Sequence, residues 1–353
     1  MEPAPFAFSL WPRMTLFALA SLAPVALLAL GVAWGGAWAL AAVLYLTLVS
    51  LCLDQAIPLV APDAAEADRF PAADTLLAVL AVCHLVALPL AVWAIAGASG
   101  LGAGARVALF VGFGMFFGQV MNPAAHELIH RSGRGLFRLG MAVYTSLLFG
   151  HHTSAHRLVH HRHAASADDP NTARGRESFY RFAPRAWAGS FRAGLVAENA
   201  RRAGGGGGLH PYVIYLGGGA LCLGLAFAIA GAAGVAVWVG LSAYATAQLL
   251  LSDYVQHYGL SRLPLPDGRL EPISERHSWN AAQWFSSGVM LNAPRHSDHH
   301  AHPARPYPAL RLPAPDRAPR LPCSLPAACT IALIPPLWRR MMAPRLARWQ
   351  QAA

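Results

Sequence analysis

The stretch that decides the architecture is "HHTSAHRLVHHRHAASADDPN", residues 151–171, which holds six histidines in its first thirteen residues. The neutral imidazole of histidine is the commonest metal-binding side chain, and it suits iron, copper, nickel and zinc. The chain around this stretch is 55% hydrophobic and 12% charged, which is about half the charge of an ordinary soluble domain. The sequence therefore predicts a histidine-rich metal site in a mostly apolar protein.

Long apolar runs on both sides of this stretch predict a membrane protein. Six runs approach or exceed the length of about 20 residues that a helix needs to cross a hydrocarbon core of ~30 Å. They are residues 14–34, 36–53, 75–98, 106–126, 211–231 and 233–253. Residues 136–150 are apolar but shorter, and Arg138 among them favours an interfacial or re-entrant helix. We therefore predict an all-α protein with about six transmembrane helices in a single membrane domain, 1–353.

The charge distribution predicts the topology. The net charge is +10 and every basic residue is arginine. Residues 131–209 hold 12 arginines against 4 acids, and residues 260–353 hold 12 against 5. By the positive-inside rule both segments face the cytoplasm, and no basic–aromatic motif indicates nucleic-acid binding. Because acidic Glu2 and no basic stretch precede the first run, that run is expected to be a retained span. We expect a multi-pass protein of a bacterial-type inner membrane, surrounded by lipid, with its site on the cytoplasmic side.

Two segments outside the predicted spans have unusual compositions. The link at 54–74 carries five acids, which runs against a simple net-charge pattern, although the positive-inside rule counts basic residues and not acids. These acids are Asp54, Asp63, Glu66, Asp68 and Asp74. Residues 303–353 form a Pro/Arg-rich cytoplasmic tail, in which frequent proline favours an extended conformation.

Nine histidines fall into four boxes near the predicted ends of spans four and six. Box one is "HELIH" (126–130), box two lies in "AHRLVHH" (155–161), box three in "DYVQHYGL" (253–260) and box four in "RHSDHH" (295–300). Spacing of i and i+4 places two imidazoles on one helical face. The nine are His126, His130, His156, His160, His161, His257, His296, His299 and His300. They exceed what one ion can bind, so two metal ions are predicted. The five cysteines lack CxxC spacing and predict no thiolate site.

Over residues 122–310 these motifs resemble, in register, the integral-membrane alkane monooxygenase family and its xylene monooxygenase relatives. That family belongs to the membrane fatty acid desaturase/hydroxylase superfamily. The motifs "HELIHR", "HHRHAASADDPNTAR", "HYGL", "HSWN" and "RHSDHHAHP" occur in the family's order. The chain departs from the family at Ala155 and Val159, where Glu and Gly are usual, and at Asp253 and Gln256, where Asn and Glu are usual. These changes spare the nine imidazoles but remove neighbouring carboxylates.

The resemblance implies an alkane 1-monooxygenase. Such an enzyme holds two iron ions and uses O₂ as co-substrate to insert one oxygen atom into a terminal C–H bond, which gives a 1-alkanol. A methyl group offers nothing for a base or a nucleophile to attack, so the oxidation requires a metal. The resemblance also implies electrons from a rubredoxin with its reductase. Such carriers are typically acidic, and Arg181 and Arg185 are candidates for the contact.

Two alternatives remain open at this point. One is a related membrane di-iron hydroxylase or desaturase that acts on a fatty acyl, aromatic methyl or other lipid substrate. The other is an intramembrane zinc protease, because such proteases also carry HExxH. The protease leaves seven of the nine histidines unexplained.

Two acids beside the boxes are predicted to be catalytic. Glu127 is the acid of HExxH and is interpreted as a metal ligand or its water-bridged neighbour, and Asp298 is expected to orient an imidazole. Asp168 and Asp169 precede Pro170 and are interpreted as turn formers. The pattern assigns no metal to the other histidines of this region, although His277 belongs to "HSWN" and is interpreted as a support for the ligands. These histidines are His151, His152, His163, His277 and His302.

Overall fold

The computed structural model describes residues 13–60, 62–64, 68, 70–205 and 207–351, apart from the side chain of Arg13. The N-terminal residues that include Glu2, and Glu66 of the acidic link, lie outside these described residues. Within them the chain is helical, and its extended pairings are isolated bridges such as that between Val60 and Gln283. The predicted all-α class is confirmed.

The helices follow the apolar runs of the sequence. In chain order they are α1 (Arg13–Trp34), α2 (Trp38–Ala56), α3 (Ala73–Ala96), α4 (Ala103–Ile129), α5 (Arg134–Ser146), α6 (152–163), α7 (Phe179–Ala203), α8 (Pro211–Gln256), α9 (Trp284–Val289), α10 (His296–Ala301), α11 (Leu325–Ala332) and α12 (Pro335–Gln351). By length and composition, α1 to α4 and α8 could cross a membrane, which gives five candidates among the described residues.

The helix α8 contains both of the last two predicted spans. Its backbone leaves the helical conformation at Ala230 (φ −150°) and Gly231 (φ 60°), close to the predicted junction. A Cβ added to Gly218 would collide with an α5 side chain, and the indole N–H of Trp238 donates a 2.8 Å hydrogen bond to a carbonyl of α5. Gly218 and Trp238 both contact the end of α5, whereas in a straight helix residues twenty apart would lie about 30 Å from each other. The two halves of α8 therefore fold back on each other. The first and last residues of α8, Pro211 and Gln256, lie at the same end of the bundle.

The short helices gather at this same end, which we call the histidine end. The predicted short helix at 136–150 is present as α5, and it packs closely on the last turns of α4. A Cβ on Gly140 would lie 2.7 Å from the Cβ of Leu128 and 2.9 Å from the carbonyl oxygen of Ala125, so glycine permits this approach. Because α6 follows α5 directly, the contact holds box two beside box one.

Two π-helical turns lie in the helices that carry boxes one and two. They are Phe117–Met121 within α4 and His156–His160 within α6. Backbone hydrogen bonds in a π turn run between residues five apart instead of four. Ordinary helical spacing predicts that His156 and His160 share a face, whereas the structure brings His156 together with His161. The rings of His156 and His160 are still neighbours, with centroids 5.2 Å apart, but the π turn places their donor nitrogens in different groups.

The tail at 303–353 is only partly extended. Two helices, α11 and α12, form within it, although α12 contains Pro344. Trp338 and Met342 are fully buried, so the burial of apolar side chains outweighs the effect of proline. The prediction of an extended tail is therefore wrong from Leu325 onward.

Candidate metal centre

The nine box histidines lie in two groups at the histidine end. Within each group one donor nitrogen per ring lies within 4.8 Å of all the others. The first group consists of His126, His130, His156, His161 and His299. The second group consists of His160, His257, His296 and His300. The structure thus brings together every histidine that the sequence selects as a metal ligand.

Boxes two and four each contribute to both groups. From α6, His156 and His161 belong to the first group and His160 to the second. From α10, His299 belongs to the first group, and the other two box-four histidines belong to the second. Since α6 and α10 are shared, the two groups form one connected centre, and each group could hold a metal ion.

Several of the nitrogens have more close imidazole neighbours than hydrogen bonding among the rings can satisfy. The Nε2 of His156 lies 2.7 Å from the Nε2 of His126 and 2.9 Å from that of His161. The Nε2 of His296 likewise has two imidazole nitrogens at 3.1 Å. A neutral imidazole has one N–H, which the other ring nitrogen often uses. Several Nε2 lone pairs aimed at a common point are instead the arrangement that a metal ion requires.

The charge state of the imidazole rings also favours metal binding. Burial, followed by the effect of neighbouring imidazoles, lowers the pKa of most of these rings well below its usual value. This holds for His130, His156, His161, His296, His299 and His300. Burial lowers the pKa of His257 to about 3. The buried Nε2 atoms of His130 and His160 also have no hydrogen-bond partner. Apart from His160, these donors are therefore neutral, as metal-binding imidazoles must be.

Asp169 is the supporting residue that the sequence interpretation missed. Its Oδ2 accepts hydrogen bonds from His160 Nδ1 (2.8 Å) and the Thr172 hydroxyl (2.7 Å), and its Oδ1 accepts one from the N–H of Asn171 (3.0 Å). Burial opposes both charges, yet the carboxylate raises the pKa of His160 and the imidazole lowers the pKa of Asp169. Asn171 in turn donates to Asp253 Oδ2 on α8 at 2.6 Å. This network directs the Nε2 of His160 towards the second group.

Asp168 and Asp169 therefore differ in role, although they are neighbours. Asp168 is exposed, in agreement with a turn former. The signal for Asp169 is its place before Pro170, downstream of box two, where the resembling family has its Asp-Pro turn.

Glu127 lies outside both histidine groups. Its side chain is buried, and Oε2 accepts hydrogen bonds from Arg131 (3.3 Å) and from the backbone N–H of Tyr307 (3.1 Å). Arg131 also pairs with Asp74 at 2.8 Å. The carboxylate is thus a neighbour of His126 that is held by its own partners, and its catalytic role stays a prediction.

Asp298 does orient an imidazole, but not one of the nine. Its Oδ1 accepts from His302 Nδ1 at 3.0 Å and from the Arg305 guanidinium, and its Oδ2 accepts from the N–H of Arg311 at 2.8 Å. The side chain is 1% exposed. Asp298 therefore fixes α10 to the loop that follows it, and its catalytic role also stays a prediction.

His277 supports the second group through its backbone. Its carbonyl oxygen lies 3.3 Å from His257 Nδ1, so it can accept the proton that leaves Nε2 free for a metal. Its own ring contacts Glu271 at 3.0 Å. The "HSWN" motif thus positions box three.

The three histidines of residues 151–171 that lie outside box two differ in their distance from the centre. His151 packs edge-on against Trp187, with ring centroids 5.4 Å apart. The ring of His152 lies 5.1 Å from that of His156, and it lines the cavity described next. His163 is half-buried and belongs to neither group.

Two cavities connect the histidine groups with the outer surface of the bundle. The inner cavity, about 60 Å³, lies against His126, His156 and His299. The outer cavity, about 730 Å³, is mainly apolar and is lined by α2, α4, α8 and α11. Its lining includes Leu48 and Leu51, which are 56% and 45% exposed on the outside of α2. Both cavities share the lining residues Gly118, Ser252, Met290 and Leu325. The two cavities therefore adjoin: the outer one reaches the exposed side of α2, and the inner one reaches the first histidine group.

Comparisons with known proteins agree with this geometry. Residues 101–324 match the family described as fatty acid desaturase. The chain is similar to Alkane 1-monooxygenase 1 of Pseudomonas aeruginosa, with 33% identity over 68% of this chain and 64% of the relative. It is 33% identical to Alkane 1-monooxygenase of Pseudomonas putida, over 75% of this chain and 66% of the relative. With Alkane 1-monooxygenase 1 of Alcanivorax borkumensis, identity is 32% over 80% of this chain and 70% of the relative. The chain thus spans just under two thirds of the first two relatives.

Fold and site together define an all-α membrane protein with a histidine-rich centre that could hold metal ions. The chain belongs to the fatty acid desaturase family and, within it, to the alkane monooxygenases.

Proposed function

We propose that this protein is a di-iron alkane 1-monooxygenase. It would convert an alkane, O₂, two electrons and two protons into a 1-alkanol and water. The observation that carries the proposal is the pair of adjoining cavities, of which the inner one lies against the imidazoles of the two histidine groups. Two iron ions held by the nine histidines would supply the oxidising power that an unactivated methyl group requires and no side chain possesses. The names of the relatives support the substrate class.

The protein's own contribution is to orient the hydrocarbon. The outer cavity is within the range of about 300–1,000 Å³ that is typical of sites for small molecules, and its open side faces the region where lipid would lie. The inner cavity is much smaller, about 60 Å³, so it would admit the tip of a chain and not its body. A chain that enters from the lipid would therefore present a terminal methyl group to the first histidine group. Apolar side chains around it, such as Met290 and Leu325, would exclude water.

The proposed catalytic acids have different tasks. Glu127 is a buried carboxylate in the wall of the inner cavity, and we propose that it passes protons towards the oxygen that leaves as water. Asp298 would act by holding α10, which carries box four, through its bonds to the following loop.

We further propose that a rubredoxin with its reductase supplies the electrons on the cytoplasmic side. The two arginine-rich segments support this, because opposite charges accelerate weak redox encounters. Arg185 is no longer a candidate for the contact. Its guanidinium donates to Glu177, to the carbonyl of Pro170 and to that of Thr172, so it is committed to the box-two turn. Arg181 is exposed and remains a candidate.

Metal and product analysis test the proposal together. Purified full-length protein should hold iron at about two ions per chain, as nine imidazoles in two groups require. With reduced rubredoxin it should convert linear alkanes to 1-alkanols, and it should be inactive without the carrier. Zinc at one ion per chain would favour the protease. Alkenes, or products from fatty acyl or aromatic methyl substrates alone, would favour the related desaturase or hydroxylase.

A further inference from the structure

The acidic link at 54–74, which runs from the last turn of α2 to the first turn of α3, has no part in the function proposed above, yet its carboxylates reach the histidine boxes. Three of its described acids, Asp54, Asp63 and Asp74, contact segments that lie far away in the sequence. Each of these segments leads directly to a box or follows one.

Asp63 reaches box four. Its Oδ1 accepts a 2.7 Å hydrogen bond from Arg295 and a 3.0 Å bond from the N–H of Leu312. Arg295 directly precedes His296, its side chain is 4% exposed, and the same Nη1 donates to the carbonyl oxygen of Leu310 at 2.6 Å. A buried guanidinium cannot give up its charge, so a facing carboxylate is needed to offset its desolvation.

Asp54 holds the start of the segment whose end carries box four. It is 5% exposed, and its Oδ1 accepts hydrogen bonds from the backbone N–H groups of Phe285 (3.0 Å) and Ser286 (3.2 Å). These are among the first N–H groups of α9, which have no partner within the helix itself. Asp54 thus caps α9, and α9 leads through one short loop to α10.

Asp74 reaches box one. Its Oδ1 lies 2.8 Å from Nε of Arg131, the residue that follows His130. Arg131 Nη2 contacts Glu127 of the same box at 3.3 Å. Glu127 in turn accepts from the N–H of Tyr307, which lies just beyond box four. Asp74 therefore supports a chain of contacts that ties box one to the segment after box four.

We propose that this link is a strap of positioning residues, Asp54, Asp63 and Asp74, which holds boxes one and four in register. The strap acts through Arg295, through α9 and through Arg131, and its purpose rests on the metal centre proposed above. It explains why acids are concentrated in a link whose composition runs against the charge pattern of the chain.

The test compares full-length Asp63→Asn with the parent, with Asp63→Glu and with Asp267→Asn. Asparagine preserves the size of the side chain but removes the charge that faces Arg295. Glutamate returns the charge at a slightly longer reach. Asp267→Asn is the matched control, because Asp267 forms an exposed ion pair with Arg269 at 2.7 Å, away from the boxes.

Two readouts separate the strap from the metal centre. The first is amide hydrogen exchange of residues 295–301 in metal-free protein, which reports local opening. The second is the rate at which a chelator removes ferrous iron from loaded protein. Asp63→Asn should raise both rates about ten-fold or more, as expected for support of metal-binding groups. Asp63→Glu should recover part of the loss, and Asp267→Asn should match the parent.

Exchange at 295–301 that is the same in Asp63→Asn and Asp267→Asn would overturn the strap, whatever the iron content. A rise spread evenly over α1 to α4 would also overturn it, since the carboxylate would then be a general stabiliser. If the parent binds no iron while Asp63→Asn still loosens 295–301 selectively, the proposed function fails and the strap stands.

Discussion

Replacing Asp169 with asparagine should weaken metal binding by the second histidine group. The carboxylate accepts three hydrogen bonds, from His160 Nδ1, the Thr172 hydroxyl and the N–H of Asn171. Asparagine has the same shape but one acceptor oxygen, so its amide nitrogen would face at least one of these donors. The change also removes the charge that holds His160 in the tautomer that directs Nε2 inward.

The size of the effect follows from burial. Both His160 and Asp169 are 2% exposed, so water cannot replace the lost partner. A hydrogen bond to a charged group contributes about 1.5–3 kcal/mol, and about 1.4 kcal/mol corresponds to a factor of ten in a binding constant. We therefore expect the affinity of the second group for ferrous iron to fall about 10- to 100-fold, as is typical for partners of metal-binding imidazoles.

Competition with a chelator measures this affinity directly, and alkanol formation by loaded protein provides a second readout. Asp168→Asn is the matched control, because it makes the same chemical change one residue away on an exposed side chain. It should bind iron as the parent does. If Asp169→Asn retained the affinity and the turnover of Asp168→Asn, the reasoning about the Asp169 network would be refuted.

Three further predictions test other parts of the molecule. Alanine at any one of the nine box histidines should abolish hydroxylation and lower the iron content while the protein still inserts into membranes. His163→Ala, outside both groups, should keep the hydroxylation activity and the iron content. Normal turnover in a box variant would exclude that residue from the site. Leu325→Ala should widen the junction of the two cavities and raise turnover of branched relative to linear alkanes by about ten-fold or more, since a misfitting carbon costs about 1–3 kcal/mol. Leu333→Ala, at the exposed lip of the outer cavity, should leave this ratio unchanged. Equal ratios in the two variants would place the constriction elsewhere. Reversing the charge of exposed Arg181 should slow reduction by rubredoxin without loss of iron, and the reduction rate of the parent should fall between about 0.02 and 0.3 M salt because the Debye length is about 10 Å at 0.1 M. Charge reversal at Arg185 should instead loosen the box-two turn and cause loss of iron. A reduction rate that does not depend on salt would argue that the arginines set topology alone.

The sequence by itself determines the membrane-spanning helices and the side chains of the histidine-rich site. Apolar runs of membrane-spanning length predict the helices, because a chain in lipid must satisfy its backbone polar groups internally. The nine imidazoles were identified from short-range spacing and from the order of four boxes. These properties are local, so they can be read from neighbouring residues without knowledge of packing.

The tertiary structure alone decides how those imidazoles are divided. The π turn at His156–His160 pairs His156 with His161 and directs His160 to the other group, which ordinary helical spacing cannot predict. Two supporting contacts were also hidden from the sequence. Asp169 belongs to a turn, and it is a partner of His160 because that turn brings its carboxylate back to the imidazole. Asp63 and Arg295 are 232 residues apart in the chain, so no local pattern relates them. The charge of each can be recognised in the sequence, but its partner is fixed by the packing that buries the guanidinium and makes a facing carboxylate necessary.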